Sequence, residues 1–136
     1  MSRILGIDYG EKRVGVAVSD ELHLFARPLK TLEVKDIPSL IEEVRSLVKE
    51  HEVIEIVIGL PKNMDGTLGF SAERVQQFVQ LLGRALAIPI RMCDERLTSI
   101  QAQKILLPLS RKQRRERIDT TAAQLILQNY LDSLRK

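Results

Sequence analysis

Three apolar, strand-like runs follow one another closely at the start of the chain, and they constrain the fold more than any other feature. They cover residues 4–8, 14–19 and 25–32, and only short connections separate them. Short connections join antiparallel strands, whereas parallel strands need a crossover of about a dozen residues or more. The N-terminal part of the chain is therefore predicted to form a three-stranded antiparallel meander.

The rest of the chain alternates between amphipathic helices and two further strands. A helix separates these two strands, so they should be parallel to each other. Asp36 is the predicted N-cap of the first helix, with Pro38 in its first turn. The predicted helices cover residues 37–48, 75–86, 98–107 and 119–130, and the predicted strands cover 54–58 and 88–93.

Composition supports one domain over residues 1–136. A hydrophobic fraction of 44% in a chain of 136 residues is enough for one core. We see neither a membrane-length apolar stretch nor a signal peptide, so we expect a soluble, cytoplasmic protein. The lone Cys93 rules out an internal disulfide, and no spacing of Cys and His is typical of a zinc site.

Positive charge is concentrated in residues 111–117. This segment carries a formal charge of +4, whereas the whole chain carries +3. A local basic cluster is typical of contact with a phosphate backbone, although a solvated loop or helix start would look the same. With 4% aromatic residues and no Trp, backbone contact is favoured over base stacking. The candidate nucleic-acid-binding residues here are Arg111, Lys112, Arg114, Arg115 and Arg117.

Acidic residues stand where apolar ones are expected. Asp8 ends the first strand, Asp94 and Glu95 end the fifth, and Asp119 shares the inward stripe of the last helix with two alanines. A desolvated carboxylate is costly unless it is paired or bound to a cation. Any one of these acids could pair with a nearby arginine. Together with a basic segment they favour an oxygen-ligand site for Mg²⁺ or Mn²⁺, of the kind that hydrolyses phosphodiesters.

Four blocks of sequence, in order along the chain, carry a family resemblance. They read GIDYG with RVGVA (6–10 and 13–17), GLPKNMDG (59–66), DERLTS (94–99) and DTTAA (119–123). In this combination they resemble the signature motifs of the YqgF/RuvX family. Members of that family are bacterial proteins related to the RuvC Holliday junction resolvases, and they are assigned to maturation of the 5′ end of 16S ribosomal RNA.

The resemblance implies a fold, an activity and a site. The fold would be α/β and RNase H-like, with a five-stranded mixed sheet (three antiparallel strands, two parallel) and helices on both faces. The activity would be that of a hydrolase, a divalent-metal-dependent nuclease. Asp8, Glu95 and Asp119 would be its catalytic, metal-binding acids, with Mg²⁺ or Mn²⁺ as cofactor.

The second acid departs from the pattern of the wider RNase H-like superfamily. There it closes the fourth strand, beside the first, whereas here the fourth strand ends in Gly59-Leu60-Pro61. If the fourth strand lies between the first and the fifth, the fifth is about 10 Å from the first. The longer side chain of Glu95 favours it over Asp94, but a shift of one residue in the pleat would reverse that choice.

Three further residues in these blocks are candidates for phosphate contact. Lys62 and Asn63 follow the fourth strand and could hold a substrate phosphate, or could simply lie in a connection between strand and helix. Arg96 could orient Glu95 or contact phosphate itself.

The substrate is left open by the residues. Precursor 16S ribosomal RNA is favoured by the resemblance, and branched DNA, as in Holliday junction resolution, fits the same chemistry. A non-catalytic nucleic-acid-binding module is a third alternative. A resolvase would need two active sites, so a homodimer would favour that activity; Leu106, Leu107 and Leu109 could form its interface or belong to the core.

Overall fold

The strands of the N-terminal meander pair as predicted. The structure is a computed structural model that describes residues 2–10, 12–60, 70–94 and 111–134, with the backbone alone at 60, 70–74, 93–94 and 111–119. Its strands are β1 (Arg3–Asp8), β2 (Arg13–Ser19), β3 (Ala26–Glu33), β4 (Val53–Leu60) and β5 (Ile90–Asp94). Its helices are α1 (Ile37–Glu50), α2 (Phe70–Ala85) and α3 (Arg111–Leu134).

The five strands form one mixed sheet in the order β3-β2-β1-β4-β5. The pairs β1–β2 and β2–β3 are antiparallel, and the pairs β1–β4 and β4–β5 are parallel. The predicted mixed sheet is confirmed, and β4 does lie between β1 and β5. The parallel strands β1, β4 and β5 therefore have their C-terminal ends side by side, at one end of the sheet. This end, where β1 finishes at Asp8, is the Asp8 edge.

Each face of the sheet buries its own apolar cluster. Leu5, Ile7 and Ile58 point to the face covered by α1 and α2, where they pack with residues such as Phe78. Ile4 and the other residues of the opposite face pack against α3. Small side chains lie in this contact, among them Ala17 and Ala26 of the sheet and Ala123 of the helix. Helices thus cover both faces of the sheet, and α3 approaches it closely.

Capping by a side chain explains where α1 begins. Asp36 caps α1 by accepting a hydrogen bond from the Ser39 N–H at 2.7 Å, and Pro38 lies in the first turn, where it displaces no helical hydrogen bond. Both later helices begin before their predicted starts: α2 begins at Phe70 rather than at 75, and α3 at Arg111 rather than at 119, so the basic segment is the first part of α3. Among the described helices, none is both long and apolar enough to cross a membrane.

Most predicted strand boundaries differ from the observed ones by one or two residues, and the starts of β3 and β5 are instructive. Residue 25 precedes β3, and its side chain is exposed at the turn after β2. Ile88 was predicted to begin the fifth strand, but β5 begins at Ile90, because Pro89 has no N–H to donate to a ladder. Ile88 still packs against the α1–α2 cluster, which explains its apolar character. The helix predicted over 98–107, with Leu106, Leu107 and Leu109, lies outside the described residues.

Candidate active site

Asp8 lies at the end of β1 on the face that α3 covers. Side chains alternate between faces along a strand, and Leu5 and Ile7 belong to the α1–α2 cluster while Ile4 belongs to the α3 cluster. Gly6 and Asp8 therefore share the α3 face with Ile4. Asp8 is half-buried. A carboxylate in this position is held by a central strand, on the face of the sheet that α3 covers.

The chain directly after Asp8 is held in a tight turn. The Tyr9 ring stacks on Phe78 of α2, with ring centroids 5.0 Å apart. A Cβ at Gly10 would lie 2.5 Å from the carbonyl oxygen of Arg13, so only glycine fits this turn. These contacts fix the backbone after Asp8, and β1 fixes the backbone before it.

Gly6 is the point where α3 comes closest to β1. A Cβ there would lie 2.7 Å from the Cβ of Leu127 and 3.0 Å from the carbonyl oxygen of Ala123. The absence of a side chain lets the helix backbone approach the strand. Asp119 lies four residues, about one turn, before Ala123, and so position 119 is on the same side of α3 as the contact with Gly6.

The direction of α3 follows from two contacts along its length. The Tyr130 hydroxyl donates to Glu55, which stands level with Ile4 in the β1–β4 register. Ala123 is close to Gly6, which lies two residues further along β1. The helix therefore runs antiparallel to β1, and its N-terminal part points toward the end of the strand that carries Asp8. Position 119 and Asp8 are brought to the same edge and the same face of the sheet.

The pleat of β5 fixes the face of Asp94, one of the two candidates for the second acid. Arg91 contacts Glu55 on the α3 face, and Cys93, two residues later, pairs with Gly59. Asp94 pairs with Leu60 and so occupies a position of the opposite face. Glu95 lies outside the described residues. The place of Asp94 on the face opposite Asp8 agrees with the choice of Glu95 as the second acid, which stays a prediction.

The remaining predicted site residues fall into two groups. Lys62, Asn63 and Arg96 lie outside the described residues. The basic residues of the cluster all belong to the first two turns of α3, which the direction of the helix places at the Asp8 edge: Arg111, Lys112, Arg114, Arg115 and Arg117. Among the residues whose side chains are described, no group of three potential metal ligands is found. The side chains of Glu95 and Asp119 are not among them.

Two polar features of this molecule were missed by sequence reasoning. Glu55 accepts hydrogen bonds from both Tyr130 and Arg91; its only signal is an acid inside the β-branched run of β4. The bond to Glu55, followed by the nearby Tyr130, raises the pKa of the Arg91 guanidinium above its ordinary value. At the Asp8 edge, a cleft of about 470 Å³ is lined in part by Lys12 and Lys35, which no motif indicated.

Comparison with known proteins identifies the family. A family model described as "RuvX: Holliday junction resolvase" matches residues 2–133. The chain belongs to the RuvX family. Relatives of this RuvX chain include proteins of Thermoanaerobacter pseudethanolicus (46% identical; 96% of each chain covered) and Clostridium acetobutylicum (46% identical; 97% of this chain and 99% of the relative). Both carry the name "Putative pre-16S rRNA nuclease".

Solved structures show the fold of the RuvX chain. It is similar to Thermus thermophilus RuvC in complex with a Holliday junction substrate, with a TM-score of 0.58 and 14% identity over 99% of this chain and 96% of that one. It is also similar to the fowlpox virus resolvase bound to Holliday junction DNA, with a TM-score of 0.57 and 14% identity over 98% and 99% of the two chains. At such identities the likeness concerns the fold, and the expected RNase H-like architecture is confirmed.

Proposed function

We propose that this RuvX chain is a divalent-metal-dependent nuclease that hydrolyses phosphodiester bonds of precursor 16S ribosomal RNA. The observation that carries the proposal is the close approach of α3 to β1 at Gly6, which brings position 119 toward Asp8. Relatives more than 40% identical along nearly the whole chain carry a nuclease name, and this favours the same activity here. Such a substrate implies a cytoplasmic protein.

The acids proposed for catalysis and metal binding are Asp8, Glu95 and Asp119. Their carboxylate oxygens are ligands of the kind that Mg²⁺ and Mn²⁺ prefer. Gly59 follows Ile58, the partner of Ile7, and so lies on the α3 face near the end of β1; having no side chain, it leaves room between the ends of β1 and β5. A divalent ion bound there would activate a water molecule and stabilise negative charge on the leaving oxygen.

The chain's own contribution is to hold these acids in place, close enough together to favour a bound cation. β1 fixes Asp8 at the end of a central strand, and a rigid strand positions a ligand better than a loop does. Gly6 lets α3 present position 119 from above the sheet. In the absence of a cation, three neighbouring carboxylates would repel one another and a phosphodiester alike, so the acid set itself favours a bound metal.

The basic start of α3 is proposed to hold the nucleic-acid backbone. Cations are unfavourable near the positive end of a helix dipole, yet the first turn of α3 contains no acid and several basic residues. Anionic phosphates at this end would compensate both the dipole and the side-chain charges. Lys62, Asn63 and Arg96 are proposed as further phosphate contacts, since each follows the end of β4 or β5.

A second candidate activity is cleavage of branched DNA. The description of the matching family model favours it, and resolution of a junction would require two copies of this chain. A third candidate is a nucleic-acid-binding module in which the acids are idle. The relatives' names favour the ribosomal RNA precursor over both.

The test is cleavage of two labelled substrates, a precursor 16S ribosomal RNA fragment and a four-way DNA junction. Each is incubated with the wild type, Asp8→Asn and the control Asp132→Asn, in Mg²⁺, Mn²⁺ or EDTA. We expect metal-dependent cutting of the RNA, a loss of at least about 100-fold in Asp8→Asn, and none in Asp132→Asn, which changes an exposed carboxylate near the other end of α3.

The other outcomes distinguish the alternatives. Cutting of the junction alone would assign the chain to branched DNA. Binding without cutting of either substrate would favour the binding module. Cutting by Asp8→Asn at the rate of the wild type would overturn the proposed role of Asp8.

A further inference from the structure

A second basic surface lies at the Asp8 edge, and its residues come from β2, β3 and the segments next to them. Gly15 is the partner of Asp8, and so Arg13, two residues earlier in β2, lies just beyond the end of β1. The cleft of about 470 Å³ lies here. Its lining contains three basic residues and one acid, together with Val34: Lys12, Arg13, Lys35 and Glu33. We call it the Lys12–Lys35 cleft.

The backbone fixes the two lysines of this cleft relative to each other. The Val34 N–H donates to the Lys12 carbonyl oxygen at 2.9 Å, which continues the pairing of β2 with β3 beyond Arg13 and Glu33. The Val34 side chain packs against the α1–α2 cluster and so anchors the segment that carries Lys35. Both lysine side chains are exposed. The two ammonium groups are therefore carried by a well-anchored edge, which lowers the entropic cost of binding a ligand there.

The positive charge of the two lysines is available to a ligand. Arg13 stands opposite Glu33 in the register, and opposite charges at cross-strand positions offset each other. Asp36 follows Lys35, but its carboxylate is bound at the start of α1 as the cap of that helix. Neither Lys12 nor Lys35 forms a salt bridge with another residue that the structure describes.

The neighbouring cleft, between β3 and α1, has the opposite charge. Its volume is about 360 Å³, and its lining combines one lysine, Lys30, with three acids: Glu33, Glu43 and Glu50. Such a lining repels a polyanion. Of these two clefts, only the Lys12–Lys35 cleft suits a phosphate.

The Lys12–Lys35 cleft is within reach of a nucleic-acid strand that is cut beside Asp8. β3 is two strands away from β1, a distance of about 10 Å, and a duplex rises that far in about three nucleotides. We propose that Lys12 and Lys35 bind phosphates of the substrate backbone about three nucleotides from the scissile bond, on one side of it. This inference rests on the proposed function, which puts the scissile bond at Asp8.

The test compares two double variants that change the net charge equally. Lys12→Gln/Lys35→Gln removes both lysines from the cleft, and since both are exposed the variant should fold like the wild type. The control is Lys30→Gln/Lys49→Gln, which changes an exposed lysine of the acidic cleft and an exposed lysine near the end of α1.

Binding of a labelled precursor 16S ribosomal RNA fragment is measured in an Asp8→Asn background, so that the RNA stays intact. We expect Lys12→Gln/Lys35→Gln to weaken binding roughly 10-fold at about 0.1 M salt. The slope of log affinity against log salt should become shallower by about 1.5 to 2, because two phosphate contacts are lost. The control should bind like the parent chain.

Cleavage kinetics and shortened RNAs locate the contact. With Asp8 restored, Lys12→Gln/Lys35→Gln should raise KM and leave kcat unchanged, since a contact remote from the scissile bond binds substrate and transition state alike. Two RNAs are then shortened to about two nucleotides, one on each side of the cut. The variant and its parent should bind one of them equally, and the difference should persist with the other.

Equal affinities of the two double variants for the full-length RNA, or a difference that persists with both shortened RNAs, would overturn the inference alone. If the wild type binds the RNA without cutting it, the proposed function fails, while a loss of affinity confined to Lys12→Gln/Lys35→Gln still supports phosphate binding in the cleft.

Discussion

At the scale of single residues, a glycine decides how close the last helix comes to the acid at the end of β1. A Cβ on Gly6 would meet two atoms that cannot rotate away, the Cβ of Leu127 and the backbone oxygen of Ala123. The helix itself would have to move. Gly83 lies on the exposed side of α2 and has no such neighbour, since the nearest atom to an added Cβ is 3.9 Å away, on Ile90.

Gly6→Ala should therefore lower the free energy of unfolding by about 1–3 kcal/mol, as overpacking of a close contact does. Gly83→Ala is the control and should raise it by about 0.5–1 kcal/mol, because alanine is the better helix former. Urea unfolding of both variants measures the two values. Equal stability of Gly6→Ala and the wild type would show that α3 can shift without penalty.

At the scale of elements, the start of α1 depends on a charged cap. The Asp36 carboxylate accepts hydrogen bonds from the backbone and then the side chain of Ser39, and these hold its pKa below the ordinary value of 3.8. A carboxyl with a lowered pKa in the folded state stabilises that state above the pKa of the unfolded chain. The stabilisation is lost as the pH falls through the pKa of the folded state.

Asp36→Asn keeps a side-chain oxygen at the cap and removes its titration. Thermal unfolding of the wild type and of Asp36→Asn, followed from pH 7 down to pH 2.5, tests this. We expect the Tm of the wild type to exceed that of the variant at pH 7 by a few degrees and the difference to vanish at low pH. A difference that is independent of pH would show that the charge of Asp36 contributes nothing to the cap.

At the scale of the whole molecule, charge is distributed unevenly. The segment 111–117 carries +4 while the rest of the chain is close to neutral. The direction of α3 places this segment at the edge of the sheet where β1, β4 and β5 end. Asp8, position 119 and the basic cluster are thus on one side of the protein, as the proposed cleavage of a polyanion requires.

Replacing Arg114, Arg115 and Arg117 by Gln should weaken nucleic-acid binding whatever the sequence. The slope of log affinity against log salt should become shallower by about 2 to 3, since each phosphate contact contributes about 0.7 to 0.9. The control variant replaces Arg45, Lys49 and Arg84 by Gln. These are exposed basic residues on α1 and α2, and their replacement changes the net charge by the same amount. Equal slopes in the two triple variants would mean that net charge, not this surface, attracts the nucleic acid.

Local patterns in the sequence determined the elements and their faces. Alternation with period two predicted the meander, helical spacing predicted α1, α2 and α3, and Asp36 marked the start of α1, because each depends on neighbours within one or two turns. The family motifs added the candidate acids Asp8, Glu95 and Asp119. Some starts were wrong: β5 begins two residues late, after Pro89, and α3 begins eight residues early, because its basic first turns carry no apolar spacing.

Only the tertiary structure decided how these elements stand relative to one another. The register of β5 on β4, which places position 94 on the face opposite Asp8, depends on pairing between residues more than 30 positions apart. The direction of α3 depends on its contacts with Gly6 and Glu55, more than 70 positions away. No local pattern contains such pairings, because they are selected by the packing of the whole sheet and its two apolar clusters.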